Sequence, residues 1–274
     1  QINFVVDVIL ASTLAEGSVS YLYFADRINQ LPLGVVGVAV GVVLLPLLTR
    51  QLSSGDDLGA AKSQNRAIEF ALYLTLPAAA ALIAIAAPIV SVLFERGAFD
   101  AQASAQTAAA LAAFAVGLPA YVLIKALTPG FFARQDTATP VKIAVAAMVV
   151  NIVLAIGLMQ VLAHVGIALA TACSAWLNAA VLAGVLKRRQ QFAIDARLRR
   201  NAPRALLAAV LMAGALLLGA WGLSDLLAGA MEFRILALSI LVAMGLTLYA
   251  ILTYLFGVFC FSELRALFRR SSSA

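Results

Sequence analysis

Asp26 and Arg27 stand side by side within the stretch 21–50, YLYFADRINQLPLGVVGVAVGVVLLPLLTR. The chain around them is 64% hydrophobic and 12% charged. A charge at a helix centre in a bilayer costs roughly 2.5–3.5 kcal/mol on insertion scales, so charges kept at that depth face protein or a water-filled cavity. That makes Asp26 and Arg27 the first candidates for function. A self-neutralising pair at the membrane interface is the other reading of the same two residues. Pro32, Gly34, Gly37 and Gly41 follow them. Gly37 and Gly41 form a small-xxx-small pair, which lets a neighbouring helix come close. Glycine and proline also make a helix easier to bend.

Further polar residues lie inside apolar runs. Asp7 sits one turn into an apolar segment, where a carboxylate can bind Na⁺ or a proton, or pair with Lys125. Lys125 itself lies near one end of its segment and can also carry its ammonium to the headgroups. Asn151 is in mid-segment. Thr171, Ser174 and Asn178 are spaced by three and four, so they share one helix face, a pattern of ordinary interhelical hydrogen bonding. No metal-ligand cluster, phosphate-cradling glycine loop or nucleophile motif is present. A phosphoryl or glycosyl transferase would need clustered carboxylates or a histidine at the membrane face. The adjacent acidic pair Asp56–Asp57 reads instead as a solvated loop, and the lone His164, in the turn LAHVG, as a solvated loop residue. Cys173 and Cys260 lie in apolar runs and read as small core residues, not a disulfide or metal pair.

These residues need helices to position them. A soluble domain carries about 45–50% apolar and 25% charged residues, so the composition is that of a polytopic membrane protein. Alternating strand patterning is absent, which leaves helices as the solution that satisfies the backbone in lipid. The apolar runs predict about eight membrane helices: 1–17, 22–48, 67–94 (with kinks at Pro77 and Pro88), 105–128, 142–162, 166–186, 205–223 and 234–259. A basic linker, KRRQQFAIDARLRRNAPR, occupies 187–204, and a basic tail that frays follows the last helix. Residues 1–186 form one predicted unit, and 205–274 a helix pair with its tail.

Basic residues fall on alternate loops. Arg50, Lys62, Arg66, Arg134, Lys142, the cluster Lys187–Arg204, Arg265, Arg269 and Arg270 share one side, while Arg96 and Arg234 are on the other. The positive-inside rule assigns the first side, with both chain ends, to the cytoplasm. The net charge of +6 then reflects topology and contact with anionic lipid heads, not nucleic acid. The chain opens on Gln1 and an apolar run without a basic n-region or cleavage site, so no signal peptide is expected. It reads as a piece of a longer protein.

Two strings carry a family resemblance: YFADRINQLPLGVVGVAVGVVLLP and, about a hundred residues on, PGFFARQDTATPVKI. Together they resemble the MurJ (MviN) family of bacterial lipid II flippases, within the MOP exporter superfamily. The resemblance covers essentially the whole chain and implies helices 7–14 of a fourteen-helix fold, that is, the C-terminal six-helix lobe and two added helices. It implies transport, by alternating access, of undecaprenyl-pyrophosphate-linked disaccharide-pentapeptide from the inner to the outer leaflet of the bacterial inner membrane. Ala25, Asp26 and Arg27 match the family's ADR motif, which makes Arg27 a head-group contact and Asp26 its orienting partner. The resemblance further implies a Na⁺ site matched here by Asp7, Asn151 and Thr171, while its second carboxylate would fall at Ala155 and is absent. The coupling energy is then Na⁺ or the membrane potential. The partners implied are the lipid-linked precursor, membrane lipids and the N-terminal lobe of the same protein, without which this piece should not transport. The last two helices would line a groove for the polyprenyl tail. The runner-up is a MOP-type exporter of a drug or of another lipid-linked oligosaccharide; a non-transporting scaffold is a third class.

Overall fold

The computed structural model of the chain describes residues 2–258, with the backbone alone at 2–4, 38, 39 and 41. Among the described residues the regular elements are all helices: α1 Ile2–Ser12, α2 Ser18–Ser53, α3 Asp57–Ala84, α4 Ala86–Phe94, α5 Ala101–Phe132, α6 Ala138–Arg188, α7 Ala196–Gly222, α8 Ser224–Ala228 and α9 Met231–Leu255. Cys260, Arg265, Arg269 and Arg270 lie outside the described residues.

Helix starts are set by aspartates. The side chain of Asp56 accepts from Gly59 N, that of Asp100 from Ala103 N and that of Asp195 from Leu198 N, at 2.8, 2.8 and 2.7 Å. Each satisfies an amide that the first turn leaves without a partner. Asp56 is thus a cap, not simply a loop residue. Because Asp195 caps α7, that helix begins at Ala196, well inside the segment expected to be linker.

Helix breaks follow the same local logic. The expected third segment is two helices, α3 and α4, divided at Ile85 (φ −121°, ψ 32°). Pro88 explains the place: it has no N–H for the Ala84 carbonyl, four residues back, and its ring crowds that oxygen. Pro77 lies inside α3 without ending it. Helix α6 has 51 residues and one non-helical residue, Ala163 (φ 48°, ψ −132°). There the chain doubles back. A Cβ on Gly166 would stand 2.4 Å from the Leu158 carbonyl oxygen, and Thr171 meets Asn151 twenty residues earlier. The two arms, 138–162 and 164–188, are the expected fifth and sixth segments.

Among the described residues six helices, α2, α3, α5, α6, α7 and α9, are long and apolar enough to cross a membrane. At about 1.5 Å per residue, each 25-residue arm of α6 is about 37 Å long, enough for one crossing of a core about 30 Å thick. Helix α1, with 11 residues, ends at Ser12, earlier than expected. Exposed Val35, Val43, Val153, Leu218, Trp221 and Leu246 face outward on these helices, an apolar surface that only lipid or protein can cover.

Helix α5 is central and packs against α2, α3, α4 and α6. Along α5, fully buried Ala110, Leu111, Ala115 and Leu118 join α1, α2 and α4, and Val122, Ala126, Leu127 and Phe131 join Val36–Leu48 of α2. So α2 and α5 run side by side in the same direction. Helices α7 and α9 pack on α3 and Ile85 through Ala208, Met212, Leu216, Leu241 and Tyr249.

The two ends of the bundle are tied differently. One end holds Phe24, Phe94 and Phe99 in an aromatic cluster and the Arg234–Glu95 ion pair at 2.9 Å. His164 belongs to this end and is buried, contrary to the solvated position expected of it. Its ring donates to the Gln106 carbonyl at 3.1 Å and packs on Tyr21, because the tight turn at Ala163 presses it against α2 and α5. Cys173 is exposed, not a core residue. The other end carries the basic residues. There Glu69 and Asp195 both bind Arg66, Glu69 also accepts from Arg197 and Asn201, and Asn65 donates to Ala193 O. The basic segment is therefore strapped to α3, a role its charge alone did not reveal.

Candidate functional site

A cavity of about 750 Å³ opens between α1, α2, α5 and the second arm of α6. Asp7, Asp26, Arg27, Lys125 and Thr171 all line it. Helical periodicity puts Tyr23, Asp26, Arg27, Gln30 and Gly34 on one stripe of α2, and that stripe forms one wall; Gly37, next along it, lies beneath Lys125.

Within the stripe, Arg27 and Asp26 have separate partners. The Arg27 guanidinium lies over the Tyr23 ring, 4.8 Å from its centroid. The Asp26 carboxylate accepts from Gln30 Nε2. No ion pair joins Asp26 to Arg27 among the described residues; the contact the guanidinium makes is with Tyr23. A guanidinium on an aromatic face keeps its edge donors free for oxygen ligands. Tyr23 and Gln30 went unnoticed in the sequence, although their spacings of four residues from Arg27 and Asp26 put them in reach on a helix.

Asp7, Asn151 and Thr171 converge. Thr171 Oγ1 is 3.2 Å from Asp7 Oδ2, 3.4 Å from Asn151 Oδ1 and 3.0 Å from the Ile167 carbonyl. A hydroxyl has one proton and can serve one of these acceptors at a time. The other Asp7 oxygen, Oδ1, is buried without a partner, as is Asn151 Nδ2. Asp7 is 8% exposed and Asn151 fully buried. The cluster therefore holds more acceptors than donors in a dry place, an arrangement that a hard cation completes through oxygen ligands. The residues present thus fit a Na⁺ ion, with Asp7 supplying the charge. Ala155, fully buried one turn beyond Asn151, adds no ligand.

Lys125 does not pair with Asp7, whose carboxylate is engaged by Thr171. Its stem lies across Gly37 instead. Of the polar face on the second arm of α6, only Thr171 bonds to another helix. Ser174 donates to the Thr171 carbonyl of its own arm at 3.0 Å, and Asn178 Oδ1 is buried without a partner. Asn178 lines a second cavity of about 440 Å³ between the two arms and α5, divided from the first by Tyr121 and Thr171. Asn29, 2% exposed with Oδ1 unpartnered, is another cavity residue that sequence reasoning missed.

A family model described as "Lipid II flippase MurJ" matches residues 1–237. The chain belongs to the MurJ family. A probable lipid II flippase MurJ of Rhizobium meliloti (strain 1021) is 44% identical over 276 residues, covering 100% of this chain and 51% of its own length. A lipid II flippase MurJ of Burkholderia cenocepacia is 34% identical over 189 residues, covering 69% of this chain and 37% of its own. Among solved structures, lipid II flippase MurJ in an inward closed conformation superposes with a TM-score of 0.74 at 27% identity, over 93% of this chain and 50% of that one. An outward-facing multidrug resistance MATE family transporter of the MOP superfamily gives 0.55 at 18%, over 92% and 60%, a likeness of fold. The chain spans about half the length of the first curated MurJ relatives. Membership in MurJ, with several membrane-spanning helices, makes it a multi-pass membrane protein.

Proposed function

We propose that this chain supplies one wall of the transport cavity of a lipid II flippase and that its Arg27 binds the pyrophosphate of the head group. The observation that carries the reading is Arg27 itself: a guanidinium held on Tyr23, in a cavity, with no carboxylate at ion-pair distance among the described residues. The pyrophosphate would supply the compensating charge. The rest of the transporter, including a second lobe with its own cations, would close the opposite wall, and the two would rock about the site to expose it to each leaflet in turn. The basic end of the bundle is then cytoplasmic, in the inner membrane, and residues 1–186 and 205–274 act as lobe and appended pair.

Asp7, Asn151 and Thr171 are the coupling site in this reading. They join α1 to both arms of α6, so a Na⁺ ion held by them would fix three segments together in one conformation, and the membrane potential would favour its inward movement. No step of the transport is covalent.

The test uses the protein as the cell makes it, with residues numbered as here. Arg27→Ala, at normal protein level in cells depleted of the parent, should remove lipid II from the outer leaflet, read by its accessibility to an external probe. Arg27→Lys should restore only part. Unchanged accessibility for Arg27→Ala would overturn the assignment of Arg27. A second reading, export of a cationic substrate, is favoured by the two carboxylates in the cavity, Asp7 and Asp26. It predicts that Asp26→Asn abolishes drug export while lipid II still appears outside.

A further inference from the structure

Lys125 is the one cation of the cavity to which the reading above gives no task. Its side chain crosses from α5 to α2 and rests on Gly37. A Cβ at Gly37 would stand 2.6 Å from Lys125 Cδ and 2.8 Å from its Nζ, so the ammonium can lie there only because residue 37 has no side chain. Among the described residues no ion pair reaches Lys125. The headgroup belt is not its destination either. Gly37 lies 13 positions before Arg50, about 20 Å along the helix axis, so the ammonium lies within the cavity and not at its basic rim.

Its distance from Arg27 is equally telling. Gly37 is ten residues beyond Arg27, about 15 Å along α2, and the Arg27 guanidinium leans the other way, onto Tyr23. One phosphate group cannot touch both cations at once. Between the two cations the cavity wall of α2 carries Gln30, Leu33 and Gly34 and no further charge. The cavity thus has two cationic stations on one wall, with Lys125 nearer the basic helix ends.

We propose that Lys125, seated on Gly37, is a second anion-binding station that receives the pyrophosphate head group from the basic end before Arg27 does. This assignment rests on the flippase reading. The chemistry suits a first station: an ammonium is a compact charge with freely rotating donors that imposes little geometry on a phosphate, whereas Arg27 offers a fixed fork.

The experiment measures binding of undecaprenyl pyrophosphate, with undecaprenol as the uncharged control, to the purified full-length protein. Lys125→Met keeps the stem and removes the charge; it should weaken pyrophosphate binding about ten-fold, the order expected for one charge-assisted hydrogen bond, and leave undecaprenol binding unchanged. Gly37→Ala should weaken it equally, and the double variant no further, since a glycine whose task is to seat Lys125 has none once the ammonium is gone. Because one head group occupies one station at a time, the affinities of the two stations add: Arg27→Ala alone should weaken equilibrium binding less than Lys125→Met does, and the double variant should lose more than the product of the two single factors. Pyrophosphate binding by Lys125→Met equal to the parent's, with Arg27→Ala impaired, overturns the Lys125 station alone. Losses from Gly37→Ala and Lys125→Met that multiply overturn the seat. A parent that binds undecaprenol as tightly as the pyrophosphate overturns the flippase reading and the station with it.

Discussion

Thr171 Oγ1 lies 3.2 Å from Asp7 Oδ2, although 164 residues separate them in the chain. The contact joins the first helix to the returning arm of α6 and leaves Asp7 Oδ1 buried without a partner. If this cluster holds Na⁺, the ion stabilises the folded state by mass action, about 2.7 kcal/mol at a concentration one hundred times its Kd. The full-length protein should therefore melt at a higher temperature in sodium chloride than in potassium chloride of equal strength. Asp7→Asn should erase the difference and Thr171→Val should shrink it. Equal melting of the parent in both salts would remove Na⁺ from the mechanism.

The arm of α6 that carries Thr171 is held against α5 by an unusually close approach. A Cβ on Gly117 would lie 2.9 Å from Ala172 Cα and 3.1 Å from its Cβ, and backbone cannot yield as a flexible side chain can. Gly117→Ala should force the helices apart and cost about 1–3 kcal/mol, the usual penalty for overpacking. Because Ala172 adjoins Thr171, the same substitution should also weaken the sodium effect. Melting in the two salts reads both, and a Gly117→Ala protein with parental stability would show that the helices separate without strain.

The residues that sequence reasoning placed well were those whose surroundings are local. Apolar runs and the LAHVG turn predicted the long helices and the two arms of α6 but not that α1 stops at Ser12, and Pro88, unlike Pro77, marks a break in its segment. The ADR and PGFFARQDTATPVKI strings pointed to the family. What stayed hidden depends on contacts far along the chain. His164 looked solvated because its turn is short, yet that turn drives it onto Gln106 and Tyr21, 58 and 143 positions away. Glu69 drew no notice in the sequence, yet it binds residues 197 and 201. Burial of a polar residue by a distant helix leaves no periodicity to read. Asp26 and Arg27 illustrate the intermediate case: adjacent in sequence, they point to different helical neighbours, Gln30 and Tyr23.

Glu69 gathers Arg66, Arg197 and Asn201 at the basic end, with its side chain 11% exposed. Removing its charge leaves two guanidinium groups facing each other across the junction of α3 and α7. Truncating one partner of a fully buried pair costs about 3–5 kcal/mol; with arginines a third exposed, solvent screening brings the figure for Glu69→Gln to about 1–2 kcal/mol. The strap at 190–195 should loosen with it. Limited trypsin digestion should cut Glu69→Gln after Arg188 or Arg189 faster than the parent, and an unaltered rate would show that Asn65 and the Arg66–Asp195 pair hold the strap without Glu69.

Asp136 provides a test by acid. It lies in the turn before α6, where Arg189 donates to Oδ2, as does Thr139 N to Oδ1. The Arg189 hydrogen bond, with those of Thr139, holds its carboxyl down to about 2 from an ordinary 3.8. A carboxyl depressed by folding favours the folded state at every pH above its unfolded value and loses that contribution as pH falls toward its folded one. The advantage of the parent over Asp136→Asn should accordingly be constant from neutral pH down to about 4 and should vanish between about 4 and 2. Thermal melting of the two proteins across that range checks it. An advantage that already fades near pH 6 would mean that another titrating group, not Asp136, governs the contact that docks the end of α6 onto its own beginning.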